Sequence, residues 1–322
     1  MDTLYPLCFN PIFRRYLWGG RRLETVLGKT IGEGDDYAES WEIVDHGEDQ
    51  SVVANGRLQG ATLHELVCEH GRALFGRHNL QQQFPLLFKF LDCNRNLSVQ
   101  VHPNDAQAKQ LDPPDLGKTE AWVVLHAEPG AVLYAGLKRG FDRQAFEREI
   151  HRGTTELCLN KIEPHVGDCI FIPAGTVHAL GAGLVVAEIQ QASDTTYRIF
   201  DWNRLDSDGK PRPLHIEAAL EVIDFDAGPV CPQQPSRIDV CSEQLVACDK
   251  FVLKRWKLSA PTAFFADDAF HILALLEGSM DIRSDSSVSS LSRGQTAVIP
   301  AICRGVQFEP HDNVVFLDMH LP

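Results

Sequence analysis

The sequence lacks the long apolar segments that a membrane protein needs. No stretch reaches the roughly 18 consecutive apolar residues of a membrane-spanning helix, and the N-terminus has no continuous apolar core of a secretory signal. Basic residues are also scarce, since 30 Lys and Arg stand against 44 Asp and Glu and leave a net charge of −14. This balance argues against nucleic acid and anionic membranes as partners. A small phosphorylated metabolite stays compatible, because a few cations in one cleft can hold it.

The sequence also lacks the common nucleotide-binding and disulfide patterns. It contains neither a GxGxxG nor a GxxxxGK[ST] stretch, which removes the simplest nucleotide-binding hypotheses. Its nine cysteines form an odd, scattered set without a CxxC pair. They are therefore interpreted as reduced thiols, and a cytoplasmic location is expected.

The strand pattern dominates what is present. Segments with alternating or β-branched apolar residues, separated by Gly and Pro, occur at 85–91, 97–102, 120–126, 131–135, 168–172 and 184–190. Many short strands with such punctuation predict a mainly β barrel or sandwich rather than a doubly wound α/β fold. Helical segments are predicted only at about 61–82, 103–112 and 141–152.

A Pro-rich segment at about 226–236 divides the chain of 322 residues. We predict one domain over 1–226, which contains the helical segments as a small insertion, and a second all-β domain over 237–322.

Three polar residues on predicted strands suggest a metal site. Gln100 and His102 lie two residues apart on one strand and therefore project from the same face. Glu120 begins a strongly apolar strand, where an unpaired carboxylate would be unfavourable.

The segment Gly167–His178 contributes the most specific signal. It matches the second cupin motif, G-x5-P-x-G-x2-H, at every specified position. A strand follows Gly167, the Pro173–Gly175 segment forms a tight turn, and the returning strand carries His178 inward. Together with Gln100, His102 and Glu120, His178 makes a mixed nitrogen and oxygen ligand set. Such a set suits Zn²⁺, and manganese, cobalt or iron would also fit it.

The chain resembles the type I mannose-6-phosphate isomerases of the cupin superfamily, in their shorter bacterial form. The resemblance rests on segments in the family's order, namely Leu17–Gly20, Ala38–Glu42, Leu97–Asp105, Gly117–Trp122, Pro173–Leu180 and Glu188–Trp202. It implies two jelly-roll barrels and one zinc ion per chain, held by Gln100, His102, Glu120 and His178. It also implies that Arg198 is an active-site arginine.

The resemblance implies interconversion of mannose 6-phosphate and fructose 6-phosphate through an enediol. A cation must hold the phosphate, and Arg198 and Lys118 are the first candidates, followed by Lys89. Ser98 is a candidate hydroxyl donor to the phosphate. Arg198 could equally face the enediolate. For both lysines, the alternative is a solvated or locally paired side chain.

The proton-transfer base is the least defined element. Glu188 is the preferred candidate because it lies on the strand after the His178 turn. An ordinary salt bridge is its alternative role, and Asp194 or a metal-bound hydroxide are other candidates for the base.

Two further regions match family patterns only in part. Trp18, Glu39 and Trp41 match N-terminal markers, and we interpret them as residues for packing and hydrogen bonding of the N-terminal strands. In the C-terminal region, Gly294–Pro300 repeats half of the cupin motif, but Ile302 replaces the glycine and no histidine follows. We therefore expect a second barrel without a metal.

Two other functions remain as alternatives to the isomerase. A non-catalytic sugar-phosphate sensor would keep the pocket without turnover, and a cupin oxidase or dioxygenase would use redox-active iron. The sequence leaves the oligomeric state open between monomer and homodimer.

Overall fold

A computed structural model describes residues 4–78, 81–205, 208–264, 267–285 and 287–322. These residues form mainly strands, together with a few short helices. The strands before residue 205 are β1 (Leu7–Asn10), β2 (Ile12–Gly20), β3 (Tyr37–Ile43), β4 (Asp45–His46), β5 (Asp49–Gln50), β6 (Val52–Val53), β7 (Leu86–Cys93), β8 (Val99–Val101), β9 (Glu120–Ala127), β10 (Leu133–Leu137), β11 (Leu159–Ile162), β12 (Cys169–Ile172), β13 (His178–Leu180), β14 (Leu184–Gln191) and β15 (Tyr197–Phe200). The later strands are β16 (Ser236–Arg237), β17 (Ser242–Ala247), β18 (Val252–Leu258), β19 (Thr262–Phe264), β20 (His271–Glu277), β21 (Ser279–Ser284), β22 (Ser287–Ser292), β23 (Thr296–Ile299), β24 (Val306–Pro310) and β25 (Val314–His320). The predicted mainly β fold is confirmed.

The helices are short and lie around the sheets. They are α1 (Arg22–Leu27), α2 (Leu63–Phe75), α3 (Asp105–Ala108), α4 (Arg143–Arg152) and α5 (Ile216–Val222), with 3₁₀ turns at Gly56–Leu58, Gly76–His78 and Thr155–Cys158. Thr62 and Glu65 form a capping box at the start of α2, and residues 79–80 of the predicted helical segment 61–82 lie outside the described residues. Helix α5 was not predicted from the sequence. Among the described residues, no helix combines the length and apolarity that crossing a bilayer requires.

Two antiparallel sheets form the first barrel. One has the strand order β11-β10-β13-β8-β15 and the other β12-β9-β14-β7-β3-β2. Side chains alternate along β9, so that Trp122 and Val124 face the space between these sheets while Ala121 and Val123 face the opposite side. This alternation gives the first barrel a core of its own and leaves a second apolar face for further packing.

The second barrel repeats this arrangement. An eight-stranded sheet, β16-β17-β18-β25-β20-β23-β1-β6, faces the four-stranded sheet β19-β24-β21-β22. Their common core includes Phe264, Leu273, Phe308 and Phe316. Strand β1 pairs with β23, so the N-terminal segment belongs to this sheet and crosses the predicted division between 1–226 and 237–322. That division itself stays a prediction.

The outer face of β9 and the outer face of β20 meet in a shared apolar layer. Three phenylalanines fill part of it, with ring centroids 4.7 Å apart for Phe84 and Phe270, 5.7 Å for Phe75 and Phe270, and 5.8 Å for Phe75 and Phe84. All three side chains are fully buried. Helix α2, which carries Phe75, is therefore fixed against both barrels.

We expect Phe270→Ala to lower the free energy of unfolding by about 3–5 kcal/mol, because it leaves a cavity in this shared layer. Urea unfolding of the purified protein measures the effect. The control is Val240→Ala, whose side chain is 86% exposed and whose replacement is expected to change stability by less than about 0.5 kcal/mol. An effect of Phe270→Ala as small as that of the control would contradict the packing role.

Candidate active site

One row of functional side chains crosses the five-stranded sheet. Strands β13, β8 and β15 are adjacent, and their register places His178 opposite Gln100 and Gln100 opposite Arg198. Residues in register on neighbouring strands project to the same face. The sequence separates these three residues by up to about a hundred positions, and strand pairing brings them into a line.

A second row crosses the six-stranded sheet. Trp122 of β9 pairs with Glu188 of β14, Glu188 pairs with Lys89 of β7, and Lys89 pairs with Trp41 of β3. The two rows border the same cavity inside the first barrel.

The tight turn at Pro173–Gly175 holds the strand of His178 close to His102. Gly175 has φ +87°, a conformation that glycine adopts readily, and its backbone N–H donates to the carbonyl of His102 at 2.9 Å. The turn in Pro173–Gly175 thereby positions His178 and anchors the residue that carries the other imidazole.

His102, Glu120 and His178 form a buried cluster. Their potential ligand atoms all lie within 4.8 Å of one another. The Nε2 atoms of His102 and His178 lie 3.6 Å and 3.3 Å from the Glu120 carboxylate, and the Gln100 amide lies 3.3 Å from Nε2 of His178. The amide would contribute its oxygen to a metal ion.

Both imidazoles are oriented by backbone carbonyls. Nδ1 of His102 donates to the carbonyl of Thr195 at 2.9 Å, and Nδ1 of His178 donates to that of Thr176 at 2.8 Å. Each Nε2 therefore presents a lone pair to the cluster, which is the arrangement of metal-binding histidines. Burial lowers the pKa of His178 to about 4 and that of His102 well below its ordinary value, so both rings are neutral.

Glu120 lacks the partners that a buried carboxylate needs. Neither of its carboxylate oxygens has a hydrogen-bond donor among the described residues, and Nε2 of His102 is equally unpartnered. Burial, followed by the charge of Glu188, raises the pKa of Glu120 to about 8. These unpartnered atoms and neutral imidazoles fit a divalent cation, which would stabilise the ionised form of the Glu120 carboxylate.

The cavity above the cluster has a volume of ≈ 320 Å³ and carries several cations on its walls. Lys118 is buried, and its Nζ lies 3.8 Å from the Glu120 carboxylate. Arg198 donates from Nη1 to the carbonyl of Pro213 at 2.9 Å, while its buried Nε has no partner among the described residues. Burial and the neighbouring Arg212 lower the pKa of Arg198. The side chains of Lys118 and Arg198 both line the cavity, and their charge would suit an anionic ligand.

Glu188 is held by two neighbours. Its Oε2 accepts the indole N–H of Trp122 at 2.9 Å, and its Oε1 lies 3.1 Å from Nζ of Lys89. Burial alone would raise the pKa of Glu188, but Lys89 and Lys118 lower it below its ordinary value. The side chain is therefore an ionised carboxylate at the cavity wall.

Lys89 and Ser98 also line the cavity. Lys89 lies between Glu188 and Glu39, whose carboxylate is 3.6 Å from Nζ. Burial would lower its pKa, but these carboxylates raise it above the ordinary value, so Lys89 is charged. The structure thus gives Lys89 the local pairing that was its alternative role. The Ser98 hydroxyl contacts the amide of Gln100 at 3.4 Å.

Trp18, Glu39 and Trp41, interpreted from the sequence as packing and hydrogen-bonding residues, also line the cavity. Trp41 donates its indole N–H to Glu39 and packs against the ammonium of Lys89, which lies 5.6 Å from the ring centroid. The positions of Glu39 and Trp41 follow from the pairing of β3 with β7, which no local pattern reveals.

Tyr16 and Arg212 are cavity residues that sequence reasoning missed. Tyr16 lies in an irregular part of β2, where both Arg15 and Gly20 are in register with Tyr37. Its ring stacks on Trp18 with the centroids 5.6 Å apart. An irregular strand has no period-2 signal, so this placement could not be read from the pattern.

Comparison with known proteins gives consistent matches. The family described as "Phosphomannose isomerase type I, catalytic domain" matches residues 7–132. Mannose-6-phosphate isomerase ManA of Bacillus subtilis is 36% identical over 306 residues, which cover 92% of this chain and 94% of that protein. Mannose-6-phosphate isomerase of Streptococcus mutans is 34% identical over 307 residues, covering 94% and 95% respectively.

The crystal structure of mannose 6-phosphate isomerase from Bacillus subtilis matches with a TM-score of 0.91 and 31% identity, over 99% of this chain and 100% of that chain. The match spans both barrels and confirms the predicted cupin-type fold. On this sequence and structural similarity, the chain belongs to the type I phosphomannose isomerase family.

Proposed function

We propose that the protein is a metal-dependent aldose–ketose isomerase that interconverts mannose 6-phosphate and fructose 6-phosphate through an enediol. The observation that carries this proposal is the buried His102–Glu120–His178 cluster at a cavity whose walls present lysine and arginine side chains. A metal ion held by this cluster would coordinate an oxygen of the sugar, and the lysine and arginine side chains would bind its phosphate. The activity named for the similar enzymes of Bacillus subtilis and Streptococcus mutans supports the same reaction.

We propose Gln100, His102, Glu120 and His178 as the ligands of one Zn²⁺ per chain, although other divalent metals suit the same nitrogen and oxygen donors. The bound ion would act as a Lewis acid that stabilises negative charge on the sugar oxygens. The protein prepares this site by directing both Nε2 lone pairs inward and by burying the carboxylate of Glu120.

The cations on the wall would bind and orient the phosphorylated sugar. Arg198 is the preferred phosphate ligand because its guanidinium borders the cavity and retains an unpartnered Nε. Lys118 stands nearer to Glu120 and is placed to stabilise charge that develops close to the metal ligands. Ser98 offers a further hydroxyl donor. Lys89, paired with two carboxylates, would mainly orient Glu188.

Glu188 is proposed as the base that moves the proton between the two carbons. Its ionised state, its fixed orientation against Trp122 and its position on the cavity wall support this role. Asp194, which lines the same cavity, is the alternative.

All of these residues belong to one chain, so we expect activity from either a monomer or a homodimer. We also propose a cytoplasmic location, where phosphorylated hexoses are formed and used.

The metal ligands are tested with His178→Ala and Glu120→Gln. We expect both variants to lose the bound metal and isomerase activity, because each removes a ligand from a four-residue set. Elemental analysis and a coupled assay for fructose 6-phosphate, with and without chelator, measure the two effects. His165→Ala, which removes a histidine whose side chain is 87% exposed, should keep both. Chelator-resistant turnover would contradict metal dependence, and oxygen consumption would favour the oxidase.

Arg198→Ala should keep the metal while kcat/KM for mannose 6-phosphate falls by about 10–100-fold. A charged hydrogen bond to a phosphate is worth roughly 1.5–3 kcal/mol, which corresponds to this factor. Arg139→Ala, at an exposed position outside the cavity, is the control. Normal kinetics for the Arg198 variant would show that its assigned role is wrong. If the wild-type protein binds the substrate tightly without forming product, the sensor alternative is correct.

Glu188→Gln should lower kcat by about 10²–10⁴-fold, the usual contribution of a general base, while metal content is unchanged. Asp194→Asn, measured in the same assay, distinguishes the two candidates. A full effect in the Asp194 variant and a small one in the Glu188 variant would reverse the assignment.

A further inference from the structure

The second barrel contains a polar position that corresponds to a metal-binding position of the first. In the first barrel, Glu120 is the first residue of β9 and is in register with Ile172, the residue before the Pro173 turn. In the second barrel, His271 is the first residue of β20 and is in register with Ile299, the residue before Pro300. His271 therefore occupies the place of Glu120.

A second pair of positions corresponds in the same way. Asp318 of β25 is in register with Leu273, the third residue of β20, and with Lys254 of β18. Glu188 of β14 is likewise in register with the third residue of β9 and with Lys89 of β7. Asp318 thus occupies the place of the carboxylate Glu188, and Lys254 that of the lysine beside it.

The contacts of His271 differ from those of a metal ligand. Its Nδ1 lies 2.6 Å from the carboxylate of Asp318, and its Nε2 lies 3.1 Å from that of Asp267. Carboxylates accept hydrogen bonds and do not donate them, so a ring with carboxylates on both nitrogens needs a proton on each. The His271 side chain is 3% exposed and that of Asp318 is fully buried.

We infer that the second barrel holds its own charged centre, in which the protonated imidazole of His271 provides the positive charge at the place corresponding to the metal site. The inference concerns the second barrel alone and holds whatever the first barrel binds.

The charged and titratable groups around His271 come from β18, from β25, from the segment before β20 and from the 3₁₀ turn after α2. Asp318 also accepts the indole N–H of Trp256 at 3.3 Å, and Lys254 and His320 act on it electrostatically. The ring of His320 lies 4.7 Å from that of His271, and burial lowers the pKa of His320, which disfavours a second positive charge beside His271. On the other side, Asp267 lies 3.5 Å from the guanidinium of Arg77.

Arg77 follows α2 and links this centre to the first half of the chain. Its guanidinium donates to the carbonyl of Asp267 at 2.6 Å, and its backbone N–H donates to that of Asp268 at 2.8 Å. The chain His271–Asp267–Arg77 therefore connects the interior of the second barrel with the helical segment. Loss of the imidazole charge would weaken both the barrel interior and this connection.

The stability of the centre depends on pH in a defined direction. Burial would lower the pKa of His271, but Asp318 and Asp267 raise it to about 9, above its value of about 6.5 in the unfolded chain. The stabilisation is therefore fully present below about pH 6.5 and is lost as the pH rises through about 9. Both carboxylates have lowered pKa values and keep their charge in this range.

The direct test is ¹⁵N NMR of the histidine side chains in the full-length protein. We expect one ring with both nitrogens protonated at pH 7.5, titrating near pH 9 and absent from His271→Gln. If that ring is neutral at pH 7.5, the inference is wrong. Metal analysis of the same samples should give equal content in wild type and variant. A metal ion lost with His271 would also overturn the inference.

Thermal unfolding provides the second test. Between pH 6.5 and 9.5, the Tm of the wild type should fall by about 5 °C more than that of the paired variant His271→Gln/Asp318→Asn, which retains hydrogen-bonding groups without the charges. This paired variant serves if the single variant fails to fold. His311→Gln removes an exposed histidine 3.3 Å from Asp281 and should behave as the wild type does. Equal pH dependence in wild type and paired variant would contradict the inference.

Discussion

Buried negative charge inside the first barrel is the constraint on which the site depends. Glu120 and Glu188 are buried at the wall of the cavity, and an ionised carboxylate with so little exposure to water is stable only beside a cation. Lys89 places its ammonium 3.1 Å from the Glu188 carboxylate, whereas Glu120 has only a lysine at 3.8 Å and two neutral imidazoles. The shortage of positive charge at Glu120 is the reason why we propose this cluster as the metal site.

The barrel architecture makes this arrangement possible. Short antiparallel strands place residues that are distant in sequence in register, and the two facing sheets bring the rows to opposite sides of one cavity. The outer faces of the same strands pack against the second barrel and α2 through a continuous apolar layer. That packing keeps the strands in position and so stabilises the spacing of the ligands.

The two barrels differ at the corresponding polar positions of their inner strands. In each barrel, a polar residue begins an inner strand and is in register with the isoleucine of an Ile-Pro pair, where the partner strand ends. In the first barrel, Gly175 and His178 complete the turn and an open cavity remains. In the second, Ile302 replaces the glycine, no histidine follows, and His271 lies between two carboxylates. The first cluster thus borders a cavity, while in the second barrel the corresponding histidine is paired with two carboxylates of the protein itself.

The sequence by itself determined the mainly β fold and predicted the residues that form the His102–Glu120–His178 cluster, because both depend on local patterns. Strand alternation, the Gly167–His178 motif and the i, i+2 spacing of Gln100 and His102 are visible without knowledge of strand pairing. Only the tertiary structure decided that Trp41 and Tyr16 reach the cavity, that Lys89 pairs with Glu188, and that β1 joins the second barrel. These features depend on long-range strand register and on an irregular strand, and neither leaves a periodic signal in the sequence.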